Sequence, residues 1–166
     1  MLRMSPMSKY RKMAHVEISV FAHATEDSEK VAVAIRNLVP ALGSNVELAL
    51  TEMQGHHGNP ILRLEAEMAV REDALEALDT LLSRLSSIDE DLLRREFREH
   101  LDTKSGLYLR FDKQQAFLGR VSLGSNDPIS VRVRLGFQPS SLDELKARLK
   151  KERCAKSEST SHGQNT

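Results

Sequence analysis

The sequence predicts an α+β domain of two layers, a mostly antiparallel sheet with helices on one face. Three observations carry that prediction. Short runs alternate apolar and polar residues at period two, the mark of half-buried strands. Between them lie segments with leucines at helical spacing. Connections within the strand pairs are short and rich in turn residues, which suits antiparallel neighbours rather than parallel crossovers. The predicted order is β-α-β-β-α-α-β-β-β-α.

The first strand is 14–22, AHVEISVFA, with Val16, Ile18 and Val20 on one face and His15, Glu17 and Ser19 on the other. A helix follows, opened by Thr25, Asp27 or Ser28 as cap and an acidic first turn, and closed by Pro40 and Gly43. Its apolar stripe is Val31, Ile35, Leu38 and Val39. The second strand is 45–53, with Val46, Leu48 and Leu50 pointing one way; the third is 60–69. Between them the turn 54–60, QGHHGNP, makes an antiparallel hairpin. Two helices come next, 72–85 and 88–101, separated by Ser86 and Ser87. The first carries Leu75, Leu78, Leu82 and Leu85 on its buried face; the second carries Leu92, Leu93, Phe97 and Leu101. The stretch 106–123 then reads as a hairpin. Leu107, Leu109 and Phe111 alternate with Tyr108 and Arg110, residues 112–115 form a polar turn, and 116–123 alternate again with Arg120 on the polar side. A last strand, 129–137, turns Ile129, Val131, Val133 and Leu135 inward and Arg132 and Arg134 outward. A short basic helix, 142–153, ends the ordered chain.

At 166 residues the chain fits a single domain. Residues 1–13 read as a flexible basic arm, 14–153 as the domain and 154–166 as a disordered polar tail. Trp is absent, so the core is built mainly from Leu, Val, Ile, Ala and Met. A single cysteine, Cys154, excludes an internal disulfide and a cysteine zinc cage and fits a reducing cytoplasm. No apolar run reaches the length of about 18 residues that a membrane span needs. The 24 basic and 24 acidic residues cancel, yet they are divided along the chain. Residues 1–16 sum to +4, 17–99 to −9 and 100–166 to +5. Such a division places a surface for an anionic partner opposite a solvated acidic one.

If the last three predicted strands are neighbours, Tyr108, Arg110, Arg120, Arg132 and Arg134 share one sheet face, with Lys113 in the turn beside them. Cations neutralise phosphates and an aromatic ring stacks an unpaired base, the combination used in many RNA sites. The competing reading is a solvated face whose arginines pair with glutamates on adjacent strands. His56 and His57 sit in a Gly-rich turn without cysteines or a suggestively spaced acidic ligand, so no metal is expected there. The turn's ring nitrogens and amides could meet a phosphate. No nucleophile elbow, phosphate-binding loop, dinucleotide fingerprint or zinc-protease helix occurs, and the carboxylates fall at helix-surface spacings, so no enzyme and no cofactor are expected.

Three blocks, AHVEISVFAHATED, EMQGHHGNPI and LDTKSGLYLRFDKQQAFLG followed by DPISVRVRL, resemble an archaeal family of predicted RNA-binding, exosome-associated proteins, the former DUF54 group. The resemblance covers 14–137, and the LYLRFDKQQAFLG block is its most specific part. It implies a fold similar to ribosomal protein L5, RNA as partner, an association with the exosome, and homodimers. The positions in these motifs are His56, Gly58, Asn59, Arg110, Asp112, Lys113 and Gln114. The expected function is therefore non-catalytic RNA binding. The alternative is a dimeric assembly module, docking through its acidic helices or an open sheet edge without touching RNA.

Overall fold

The computed structural model describes residues 14–43 and 47–161. The expected basic arm, Val46 and the last five residues of the chain lie outside that range.

Five strands form one open sheet in the order β2-β3-β1-β5-β4, every neighbouring pair antiparallel. The first strand, β1 (His15–Ala22), is central. Its even-numbered residues from Val16 to Ala22 are buried beneath the helices, as the alternation requires. Helix α1 (Ser28–Leu38) starts at Asp27, whose Oδ1 accepts a hydrogen bond from the Glu29 N–H at 2.9 Å. Strands β2 (Ala49–Gln54) and β3 (Pro60–Met68) form the expected hairpin. Helices α2 (Arg71–Ser83) and α3 (Ser87–Arg95) lead to β4 (Gly106–Phe111), then α4 (Lys113–Phe117), β5 (Ile129–Arg134) and α5 (Leu142–Ser161).

All the helices that bury apolar faces do so against one side of the sheet. Ile18, Leu64, Leu107, Phe111, Ile129 and Val131 from the strands pack with Ile35, Leu38, Leu78, Leu81 and Leu145 from the helices. Each such side chain contributes on the order of 1.5–3 kcal/mol by leaving water. Two polar clamps tie the helices together. Arg84 Nη1 donates to the carbonyls of Asn37 and Leu38 at 3.0 and 3.1 Å, and its Nη2 to that of Gly119 at 3.3 Å. Asn37 Nδ2 in turn donates to the carbonyls of Ala116 and Phe117, both at 3.1 Å. Exposed carbonyls at helix C-termini are thereby satisfied.

Four expectations are corrected. The hairpin 106–123 is not one: its presumed turn begins α4, and 118–123 runs back irregularly, with an isolated Phe111–Leu123 bridge to β4. The strand beside β4 is β5, with Tyr108 opposite Arg132. Asp112 caps α4 by accepting from the Gln115 N–H at 2.8 Å, so D-K-Q-Q has the form of a capping box rather than a turn. The helix expected over 88–101 stops at Arg95 and becomes a 3₁₀ turn at Phe97–His100, burying Leu93 and Phe97 but not Leu92 or Leu101. The last helix continues through Cys154 to Ser161, where a disordered tail was expected. Finally, β2 is exposed along its whole length, Leu50 included.

Candidate nucleic-acid interface

Among the described residues, no element covers the side of the sheet away from the helices. The pairing registers arrange its side chains in rows across the strands. One row is Tyr108, Arg132, Glu17 and Glu67; the next is Arg110, Ser130, Ser19, Glu65 and Ala49. A third brings Arg134 beside His15. The first two rows line a shallow trough of about 800 Å³. Tyr108, Arg110, Arg132 and Arg134 therefore do share a face, as their parity predicted. That face is not uniformly cationic. Glu17, Glu65 and Glu67 line its β1–β3 half with Arg63 among them, so that half carries more acid than base.

Asp102 organises the cationic half. It lies in the turn 101–106, and its Oδ1 accepts from the N–H groups of Lys104 (2.8 Å) and Gly106 (2.7 Å). The Tyr108 hydroxyl donates to Oδ2 at 3.2 Å, and Arg132 Nη2 reaches the same oxygen at 3.4 Å. Burial pushes the Asp102 carboxyl up, but those two N–H groups, the tyrosine hydroxyl and the Arg132 charge outweigh it and hold it below the ordinary aspartate value. A Cβ on Gly106 would lie 2.7 Å from Asp102 Oδ2 and displace the carboxyl from these contacts. The Arg132 guanidinium also sits 5.0 Å from the centre of the Tyr108 ring and 3.8 Å from Glu17 Oε2. Tyr108 and Arg132 thus hold each other in place, with 41% of Tyr108 still exposed. Glu17 makes a further 2.9 Å contact with His15 Nε2. By contrast, Arg110 and Arg134 have no ion-pair or side-chain hydrogen-bond partner among the described residues, which leaves both guanidinium groups available to an anion.

The other predicted site residues separate into distinct places. Lys113 is not in the interface. It is 7% exposed, and its Nζ donates to the Phe21 carbonyl and Asp127 Oδ2, both at 2.7 Å, and to Glu26 Oε2 at 3.1 Å. It locks the end of β1 and the start of α1 to the turn before β5. Asp127, at φ +46°, completes the lock through His23 Nε2 at 3.2 Å. Burial raises the Asp127 carboxyl, but Lys113 and His23 pull it below its usual value. His23, Glu26 and Asp127 come close enough together to suggest a metal site, yet the Lys113 ammonium already occupies the cation's position. Arg120 lies in the irregular return, off the sheet face, and Gln114 is exposed on α4. His56, His57 and Asn59 are exposed at the tip of the β2–β3 hairpin, at the opposite edge of the sheet from β4. Gly58, at φ +74°, shapes that tip, and Gly55 N–H closes it on the Asn59 carbonyl at 2.9 Å.

Sequence reasoning passed over Asp102, Glu65 and Glu67. Asp102, four residues before Gly106, has the spacing of a side chain that folds back on its own turn. Nothing local marks the glutamates, since their neighbours across the sheet come from distant segments.

A sequence profile of a family described as RNA binding matches residues 15–135. The chain is 38% identical over 128 residues to the RNA-binding protein PAB1135 of Pyrococcus abyssi, covering 75% of this chain and 83% of that protein. Among solved structures, protein AF2318 from Archaeglobus fulgidus aligns with a TM-score of 0.65 at 34% identity, over 83% of this chain and 97% of that one. Protein SSO0741 from Sulfolobus solfataricus aligns at 0.63 and 30%, over 86% and 98%. Both are described as DUF54 proteins. With a profile match over most of its length and relatives of this similarity, the chain belongs to the RNA-binding family formerly called DUF54.

Proposed function

We propose that this protein binds RNA without catalysing a reaction, using the bare face of its sheet. The observation that carries the reading is the pair of unpartnered cations, Arg110 and Arg134, on either side of a Tyr108–Arg132 unit held rigid by Asp102. Free arginines supply phosphate contacts, and a half-exposed tyrosine supplies a stacking surface. The family description and the name of the Pyrococcus relative support the same reading. The likeness to ribosomal protein L5, the association with exosome subunits, the cytoplasmic location and the homodimer are further parts of this proposal, resting on the family resemblance. Among the described residues no helix is long and apolar enough to cross a membrane.

The test is the salt dependence of binding to single-stranded RNA. Affinity falls linearly in log–log form, and removing one phosphate contact lowers the slope by about 0.7 for a single strand. Arg110→Ala and Arg134→Ala each reduce slope and affinity. Unchanged slopes in the double variant reject the open face as the site.

A second reading has its own observation. Strand β2 pairs only with β3 among the described residues, and it exposes Leu50 and Met53 along a free edge. Such an edge accepts a strand from a partner. Partners that remain bound after nuclease treatment favour an assembly module; partners released by nuclease favour RNA binding.

A further inference from the structure

The trough's second row has a composition that phosphate binding alone does not explain. Arg110, Ser130, Ser19 and Glu65 stand in register across β4, β5, β1 and β3. A cation and an anion face each other across two of the smallest side chains. Their Cα atoms are three strand spacings apart, roughly 14 Å. Once both side chains lean inward, a nucleotide-sized gap remains over the serines. In the adjacent row Glu67 is exposed and has no partner among the described residues. Glu65 meets Arg63 Nη2 at 2.9 Å through Oε1. Carboxylates repel phosphates, so a face built only to follow an RNA backbone gains nothing from Glu17, Glu65 and Glu67.

Resting on the reading that this face holds RNA, we propose that the trough takes one unpaired nucleotide laid across the strands and selects guanine. The phosphate lies on Arg110 at the β4 side. The ribose lies over Ser130 and Ser19, whose hydroxyls meet its own. The base edge points to Glu65 and Glu67 on β3. An ionised carboxylate only accepts hydrogen bonds, and it has two oxygens. Guanine offers two adjacent donors, N1–H and the 2-amino group, which match it bidentately with charge assistance. Uracil offers one N–H between two carbonyls, which a carboxylate repels. Base selection through unstacked edges is the usual route to sequence preference in single-stranded RNA.

The experiment is fluorescence anisotropy of the full chain with three labelled RNA octamers: oligouridine, the same with one central guanosine, and the same with inosine there. Guanosine tightens binding about tenfold over oligouridine, as one good bidentate contact does. Inosine, lacking the 2-amino group, keeps only part of that gain. In Glu65→Gln/Glu67→Gln the guanosine-to-uridine ratio falls to near one, whereas in Arg110→Ala all three affinities fall together and the ratio persists. Equal affinities for guanosine and uridine octamers, or a ratio that survives the double glutamine change, overturn guanine selection while leaving RNA binding in place. Failure of every octamer to bind overturns both.

Discussion

At the residue scale, Lys113 shows how one side chain can be misassigned by its type. A lysine in a polar break beside cationic strands reads as a phosphate ligand; burial against three oxygen acceptors makes it a structural cation instead. Lys113→Met removes the ammonium and leaves Glu26, Asp127 and the Phe21 carbonyl without it. We expect a loss of about 1–3 kcal/mol in urea unfolding, with the salt slope of RNA binding unchanged in the folded variant. Acid acts on the same set of contacts. Asp102 and Asp127 both titrate below their ordinary values, so the folded state binds fewer protons than the unfolded chain. Their contribution is complete above the ordinary aspartate value, near pH 4, and is lost as pH falls through the lowered native values. The urea midpoint therefore drops as pH falls below about 4, and Asp102→Asn flattens part of that drop.

At the element scale, α4 is the piece that the sequence misleads about and the structure explains. Phe117, Val121 and Leu123 keep a strand's alternation by coincidence, while Asp112 and Gln115 carry the competing signal of a capped helix. The cap wins because long-range contacts reinforce it. The Asp112 N–H donates to the Ser122 carbonyl at 2.8 Å, and Gly124 N–H to that of Arg110 at 3.0 Å. Asp112→Ala should cost about 1 kcal/mol, a typical loss for a helix cap. Gly124→Ala should cost more, since a Cβ there stands 3.0 Å from the Asp112 Cα and the backbone must shift. Both are read by thermal or urea unfolding. The strands β1, β3, β4 and β5 were legible because each buries one face and so keeps a strict period of two. The edge strand β2 was legible as a strand, but not as an exposed one, because exposure depends on where the helices end. The extension of α5 to Ser161 was hidden by a composition of Ser, Thr and Lys that reads as tail. Deleting residues 154–166 removes the part of α5 beyond the Arg153–Asp79 ion pair, and stability should change by less than about 0.5 kcal/mol.

At the scale of the whole molecule, the sequence correctly announced a charge division but misplaced its boundary. The sums along the chain suggested a cationic sheet facing an acidic helical layer. Acid and base instead meet on the open face of the sheet, because β1 and β3 turn Glu17, Glu65 and Glu67, with Arg63 among them, onto the same side as Arg110, Arg132 and Arg134. Parity told which residues leave the core; only strand order, which is set by contacts between distant segments, told which of them meet. This predicts a modest dependence on salt. With two or three phosphates neutralised, the log–log slope lies near −1.5 to −2 for a single strand, and a slope near −5 would place RNA on a different, more basic surface.

The two borders of the sheet also differ. The outer side of β4 is closed: Leu101 bridges Leu107, Leu123 bridges Phe111, Asp102 N–H donates to the Gly106 carbonyl, and His100 Nδ1 meets the Tyr108 carbonyl at 2.8 Å. Among the described residues, β2 is the strand whose edge stays open to another. Growth of this sheet is therefore self-limiting. Two copies joined β2 to β2 would present a closed β4 at each end of a ten-stranded sheet, so strand addition terminates at a pair and cannot propagate into a fibre.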